Sequence, residues 1–385
     1  MRLAARHLLL VACLLCIPSM TAGTPPPCHV YVVSDPHLDL NYRALRPQRC
    51  LFGDVGFRCC RDYDIALRGS RPASEWGSYK CDSPERLLHY ALMQAQQLFR
   101  RWPPCAVVVL GDMVDHSDLR QSFRGNMKSV GVMTRLVERA FPGVPLVPVI
   151  GNHDSWFVDQ ALPPRSMAQQ SALHRKLLAL WALHIPPSQH QLFGYGGYYA
   201  VEVGAVRFLV LNSLWGDANN IFLWFGARDP ARMMAWVELE LKQARATGTP
   251  VILVNHISPL STAATGEHRA RMLALLHEYR DVVRSTWHGH THEDEVQVFN
   301  VTDPVGYVVP SLMPDGHDPA LRIMTLQAGE LMEYTQWTLS LRDLVRRQQS
   351  NWTQLYSTAT MDGLDGVSWA ARQVPRGVPT VTVAT

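Results

Sequence analysis

Short apolar runs that stop abruptly at polar, ligand-type residues recur along this 385-residue chain. H-V-Y-V-V-S-D runs to Asp35, C-A-V-V-V-L-G-D to Asp112, and V-P-L-V-P-V-I-G-N-H-D to Asn152 and His153. V-I-L-V-N-H ends at His256, and V-V-R-S-T-W-H-G-H leads into W-H-G-H-T-H-E-D-E with His288, His290 and His292. Val- and Ile-rich runs of this length predict buried strands. Helical patterns lie between them. Ser83 as N-cap, Pro84 at the first helical position and Glu85 in the first turn open one helix, which runs to about Trp102. Asp229-Pro230 opens another, with Met233, Trp236 and Leu239 at helical spacing as core packing, and a third runs from about Glu267 to Tyr279. Alternating strands and helices predict an α/β fold with a largely parallel core, whose ligands gather beyond the carboxyl ends of the strands. After about Glu293 only short strands follow, which predicts a second sheet packed on the first in one domain, 24–341, with a reduced extension over 342–385.

Composition narrows the class. Hydrophobic residues make up 47% of the chain, ample for a large core. Formal charge is only +3, and Arg2 and Arg6 supply two of those charges, so no nucleic-acid-binding patch is expected. Residues 1–23 read as a signal peptide: the two arginines, an apolar run Leu8 to Ile17, then small residues to Gly23. That run is short of the roughly 20 residues a membrane span needs, and no later stretch looks transmembrane. Export to the extracellular space or the lysosome is therefore expected. Beyond the leader stand Cys28, Cys50, Cys59, Cys60, Cys81 and Cys105. An even count in an oxidising compartment suggests three bridges. Cys28 and Cys105 each precede a strand-end aspartate by seven residues. They lie level if their strands are parallel neighbours, although two buried free thiols fit as well. Cys50–Cys59 and Cys60–Cys81 would staple the long loop 36–82. Asn300 and Asn351 begin glycosylation sequons.

The strand-end residues carry the chemistry. Nitrogen and oxygen donors dominate and no cysteine joins them, a set that suits Zn²⁺, Mn²⁺ or Fe. The donors are too many for one tetrahedral ion and enough for two. Two divalent ions, offset by Asp35, Asp112 and a bridging hydroxide, leave a site of about +1, suited to a singly charged phosphodiester. Alternation along a strand would turn His288, His290 and His292 to one face, and spacing alone does not choose among them.

The ordered pieces D-x-H, G-D, G-N-H-D, H and G-H-x-H resemble the calcineurin-like metallophosphoesterase superfamily over residues 29 to 325. S-D-P-H-L-D-L-N-Y, Cys59-Cys60, W-G-S-Y-K-C-D and G-H-T-H-E-D-E look like acid sphingomyelinase and the acid sphingomyelinase-like phosphodiesterases. The resemblance implies two packed mixed β-sheets flanked by helices, in four layers α/β/β/α. It implies one metal on Asp35, His37, Asp112 and His292 and another on Asp112, Asn152, His256 and His290, with Zn²⁺ as the expected ion. His288 is then the spare. His153, and His116 beside it, would assist the leaving group, while Asp39, Asp115 and Asp154 would orient ligands. His174, His184, His190, His268 and His277 read as structural.

The chain also departs from its relatives. Asp115 stands where the purple acid phosphatases place a tyrosine, which disfavours a tyrosine–iron site. The saposin-like and cysteine-rich C-terminal parts of acid sphingomyelinase are not expected, and Met313 replaces a family threonine. These departures favour a phosphodiesterase acting on soluble or accessible diesters, either lipid headgroups or nucleotide-like molecules. A phosphomonoesterase with the same metals and a catalytically weak extracellular binding protein are the alternatives. Specificity is expected in loop 213–228, with Asn219, Asn220, Phe222, Trp224 and Phe225.

Overall fold

The structure, a computed structural model, describes residues 25–51, 58–166, 171–224, 229–360 and 380–383. The signal peptide and Phe225 lie outside the described residues. The strands are β1 (Cys28–Val33), β2 (Cys50–Leu51), β3 (Ile65–Ala66), β4 (Pro104–Val109), β5 (Leu146–Pro148), β6 (Tyr199–Val203), β7 (Val206–Val210) and β8 (Val251–Val254). They continue with β9 (Val283–His288), β10 (Glu295–Val298), β11 (Val305–Val308), β12 (Ala320–Gln327), β13 (Glu330–Leu339), β14 (Trp352–Ser357) and β15 (Thr380–Val383). The helices are α1 (Glu85–Ala95), α2 (Phe123–Ala140), α3 (Ala172–Trp181), α4 (His190–Gly196), α5 (Met233–Thr247), α6 (Gly266–Glu278) and α7 (Leu341–Arg347).

Two mixed sheets form the core, in strand orders β14-β13-β12-β1-β4-β5 and β15-β10-β11-β9-β8-β7-β6. Helices α1 and α2 join the parallel strands β1, β4 and β5, and α5 and α6 join β7, β8 and β9. A crossover helix must pack back on its sheet, so each sheet carries helices outside and its partner sheet inside. This explains the unbroken apolar runs: Val30 to Val33 and Val251 to Val254 are buried on both faces. The sheets are tied by Tyr199, which donates from its hydroxyl to the Pro148 carbonyl at 2.9 Å, and by the buried Arg322 of β12, which reaches the Val308 carbonyl of β11 at 3.2 Å.

Four expectations change here. The late strands do not make a second sheet of their own: β10 and β11 extend the sheet of β8 and β9, while β12 and β13 return beside β1. Residues after 341 contribute α7, β14 and β15, so they add strands to both sheets. Ser83 does not cap α1. Pro84 holds that place, and the Ser83 backbone instead pairs with His37 and Asp39, through Ser83 N–H to the His37 carbonyl at 3.0 Å and Asp39 N–H to the Ser83 carbonyl at 2.9 Å. The stripe on α5 is also turned. Met233, Val237 and Leu241 are buried, Trp236 only partly, and Leu239 is exposed. Cys28–Cys105, Cys50–Cys59 and Cys60–Cys81 are bridged, and the first joins parallel neighbours β1 and β4.

Candidate metal centre

The carboxyl ends of β1, β4, β5, β8 and β9 meet where the two sheets abut, and each delivers one part of a polar cluster. Five of its residues leave their strands in left-handed backbone: Asp35 (φ 45°), His37 (39°), Asp112 (51°), His290 (75°) and His292 (63°). Such conformations cost of order 1 kcal/mol or more each and persist where surrounding contacts impose them. The Asp154 carboxylate imposes one of them. It accepts from the backbone N–H of Gly151 at 2.8 Å, Met113 at 2.8 Å and Asp112 at 3.1 Å. Gly151 packs so closely on Asp112 that a Cβ there would collide with the Asp112 backbone nitrogen and Oδ1. Only glycine admits this approach.

The structure brings together every residue that the sequence nominated as a ligand. Asp112 Oδ2 lies 3.5 Å from His37 Nε2 and 3.2 Å from His256 Nε2. Asn152 Oδ1 lies 2.8 Å from His256 Nε2 and 3.1 Å from His290 Nδ1, and its amide donates to Asp159 at 2.9 Å, which fixes which way the side chain points. Asp35 Oδ1 stands 4.0 Å from His37 Nε2 and 3.7 Å from His292 Nε2. Donor atoms of Asp35, His37 and Asp112 form one group able to hold an ion, and those of Asp112, His256 and His290 form another. A third grouping, His37, His116 and His292, also falls within coordinating reach.

The imidazole protons are placed by backbone and carboxylate acceptors. His37 Nδ1 faces the Val114 carbonyl at 2.8 Å, His256 Nδ1 the Leu110 carbonyl at 2.7 Å, and His292 Nδ1 the Asp315 carboxylate at 2.8 Å. A proton on each Nδ1 leaves each Nε2 lone pair inside the cluster. His37 Nε2 and His292 Nε2 then face each other at 3.0 Å. Two lone pairs at that separation repel unless a cation stands between them, so the donor set fits divalent metal ions. The protein's own charges agree. Burial would raise the Asp112 carboxyl, but His256 and His153 outweigh it and hold it well below the usual range. Burial would lower His256, but Asp112 pushes it up to about 10.

His288 is the histidine left out. It is the last residue of β9, buried, with Nε2 2.7 Å from Thr286 Oγ1. His290 and His292 lie beyond the strand, so the expected strand alternation does not govern them. The five histidines read as structural stay out of the cluster. His174 and His268 are buried, while His184, His190 and His277 pair with Glu138, the Ile185 carbonyl and Asp303.

Two more histidines close the site. His116 stacks on His37 with ring centroids 3.9 Å apart, and His153 stands 4.5 Å from His116. Each is backed by a carboxylate at Nδ1: His116 by Asp82 at 2.6 Å, His153 by Asp118 at 3.2 Å. Asp82 is held by Arg61, whose guanidinium is fully buried among Asp39 (2.8 Å), Asp82 (2.6 Å) and Asp115 (3.3 Å). The sequence did not reveal Arg61, Asp82, Asp159 or Asp315. Only the paired cysteines Cys50–Cys59 and Cys60–Cys81 mark the loop that carries Arg61 and Asp82. Of the nominated specificity residues, Asn220 is buried and holds the Ala161 and Leu214 carbonyls, whereas Phe222 and Trp224 are exposed.

Residues 28–294 match the profile of the calcineurin-like phosphoesterases. The chain belongs to that family. This calcineurin-like phosphoesterase is 28% identical to sphingomyelin phosphodiesterase B of Dictyostelium discoideum, over 89% of this chain and 55% of the relative. It is 30% identical to the sphingomyelin phosphodiesterase of Bos taurus, over 63% of this chain and 39% of the relative. It is 25% identical to the cyclic GMP-AMP phosphodiesterase SMPDL3A of Bos taurus, over 89% of this chain and 77% of the relative. The chain thus spans about half the length of the first of these, or less for the second. Among the described residues no helix is long and apolar enough to cross a membrane.

Proposed function

We propose that this chain is a dimetal phosphodiesterase, with ligands Asp35, His37, Asp112 and His292 for one ion and Asp112, Asn152, His256 and His290 for the other. One observation carries the reading: a single oxygen, Asp112 Oδ2, faces both donor groups, at 3.5 Å from His37 and 3.2 Å from His256. Its imidazole-rich donors favour Zn²⁺. When bound, such ions polarise phosphoryl oxygens and lower the pKa of water. The diester class is supported by the names of the relatives, which act on a lipid headgroup diester and a cyclic dinucleotide. Three disulfides and the exposed sequon asparagines Asn300 and Asn351 support the secretory route, to the cell exterior or the lysosome.

The chain's own groups divide the remaining work. Val114, Leu110 and Asp315 keep His37, His256 and His292 oriented with Nε2 inward. Asp118 holds the Nδ1 proton of His153 and leaves its Nε2 to protonate the departing oxygen. Burial alone would lower the pKa of His153, but Asp112 and Asp118 outweigh it and push it to about 9. Ions that offset the Asp112 charge would draw that value toward neutrality, where an acid catalyst works best. His116, lowered by burial against the pull of Asp82, stays neutral and steadies charge beside it.

The test is metal content with turnover. About two zinc ions per purified chain, and hydrolysis of bis(p-nitrophenyl) phosphate faster than of the monoester, are expected. A folded protein that takes up no metal, or one that cleaves only the monoester, would sink the reading. His153→Gln should lower kcat by roughly 10²–10³-fold. His153 acts protonated, so wild-type activity falls as pH rises through its pKa, at or below about 9. A pH–rate profile of the variant should lack that alkaline limb; an unchanged limb would remove His153 from the role.

A further inference from the structure

Three cysteines of the long loop 36–82 each follow a cation: Arg49 precedes Cys50, Arg58 precedes Cys59 and Lys80 precedes Cys81. The bridges Cys50–Cys59 and Cys60–Cys81 therefore fix the backbone beside all three. Their side chains line one cavity of about 450 Å³, which reaches Asp315 and Gly316. A second cavity, of about 420 Å³, adjoins it through Gln48 and Tyr79, which line both, and is walled by Arg342 and Arg346 of α7. Gln48 is itself pinned. Its amide donates to the Pro72 carbonyl at 2.8 Å, and its Oε1 accepts from the Ser78 hydroxyl at 2.9 Å. The two cavities make one groove with cations along its length, held by two disulfides and a helix.

Little negative charge answers these cations. Elsewhere on the surface arginines meet acids: Arg43 and Arg46 meet Asp62, Arg86 meets Glu75 and Arg245 meets Asp281. Arg49, Lys80, Arg342 and Arg346 are exposed and make no ion pair among the described residues. Arg342 and Arg346 also stand at i and i+4 of one helix, where like charges repel. Among the described residues the acidic lining is Asp315 alone, already shared between Arg58 at 2.7 Å and His292 at 2.8 Å. A row of unanswered cations on a frame fixed before binding suits an extended, highly charged anion. No ligand of the metal cluster lines either cavity, so the groove is a second site and not an arm of the first. Its aromatic lining is Tyr79, tied by its hydroxyl to Asp318, whereas single-stranded nucleic acid needs successive rings on which its bases stack. Sulfate groups need no rings, because arginine and lysine hold such oxyanions by charge-assisted hydrogen bonds.

We infer that this groove binds a sulfated polysaccharide chain. The disulfides and sequons that support the secretory route also put the protein where such chains occur. The inference goes beyond the phosphodiesterase reading and stands without it. Retention on a sulfated glycan sets where the protein works, whatever diester it cleaves.

The test is fluorescence anisotropy of a labelled heparin oligosaccharide titrated with the full chain, beside turnover of bis(p-nitrophenyl) phosphate. Arg49→Gln/Lys80→Gln/Arg346→Gln removes three groove cations. Lys128→Gln/Arg139→Gln/Lys176→Gln removes three exposed cations from α2 and α3 and serves as the control of equal charge. Wild type should bind, and its affinity should fall about tenfold or more between about 50 and 200 mM sodium chloride, as counterion release requires. The groove variant should bind at least tenfold more weakly and the control within twofold of wild type, with diester turnover and melting midpoint unchanged in both. Should the groove variant melt early, the single reversal Arg346→Glu, outside the disulfide loop, carries the test, with binding at least threefold weaker. Equal losses in groove variant and control would overturn the inference, because net charge alone would then decide binding. So would a wild type that ignores heparin, or one that binds unsulfated hyaluronan as tightly. A single-stranded oligonucleotide of equal charge that binds as well as heparin would also overturn it and make the groove a nucleic-acid site. Heparin binding by a protein that turns over no diester would fault the enzymatic reading alone and leave the groove standing.

Discussion

Asp112→Asn is expected to lower kcat/KM for a simple diester by on the order of 10³-fold or more, beyond the roughly 10–100-fold cost of losing a group that only orients a ligand. The substitution preserves shape and removes charge. Asp112 Oδ1 accepts the backbone N–H of His153 at 2.9 Å, and an amide oxygen can keep that bond. The second terminal atom then becomes an NH₂ group turned toward His37 and His256, where Oδ2 now stands 3.5 and 3.2 Å away. An amide nitrogen has no lone pair to offer an ion. Both donor groups lose their shared member together, so metal content should fall at both sites rather than halve. Elemental analysis and turnover on the same preparation, with circular dichroism to establish folding, check this. A folded variant that keeps two ions, or activity within tenfold of wild type, would refute the shared-oxygen arrangement.

What the sequence made legible, and what it hid, follows from the range of the interactions. Apolar runs such as Val30–Val33 and Val251–Val254 announce strands because both faces are buried, and burial writes itself into composition. Their abrupt polar ends announced Asp35, Asp112, Asn152, His153 and His256, because a doubly covered sheet offers side chains to ligands only at its rim. Partner choice is not local. Nothing in R-I-M-T-L-Q says that β12 lies beside β1 rather than beside β11, so composition alone does not divide the late strands between the two sheets. The β6–β7 hairpin and helix α2 were likewise not foreseen. His288, His290 and His292 illustrate the same limit. Spacing treats them alike, and the positive φ of the last two, which takes them off the strand and into the cluster, arises from contacts with Asp35 on the other sheet. Arg61 was least visible, because one of seven arginines in a cysteine-containing loop looks like any exposed cation until three carboxylates converge on it.

Arg61→Met should therefore cost stability as well as activity. Its guanidinium is fully buried and compensates Asp39, Asp82 and Asp115, all buried too. Breaking a buried ion cluster by removing one sign typically costs about 3–5 kcal/mol, because the other sign is left unpaired. Methionine fills much of the volume, so packing alone would cost far less. The pH dependence separates charge from packing. Burial pushes the Asp39 carboxyl up to about 7 even with Arg61 in place, and losing that cation can only raise it further. A carboxyl raised in the folded state favours folding below its unfolded value, near 3.8, and loses that contribution as pH rises through its folded value. The gap in unfolding free energy between wild type and variant should thus be widest above about pH 7 and narrow toward pH 5, which urea denaturation at the two pH values will read. Activity should fall as well, by roughly 10–100-fold, since Asp82 would no longer be held against His116. A variant as stable as wild type, or a gap that stays constant with pH, would mean that Arg61 acts through packing and not through the three carboxylates it joins.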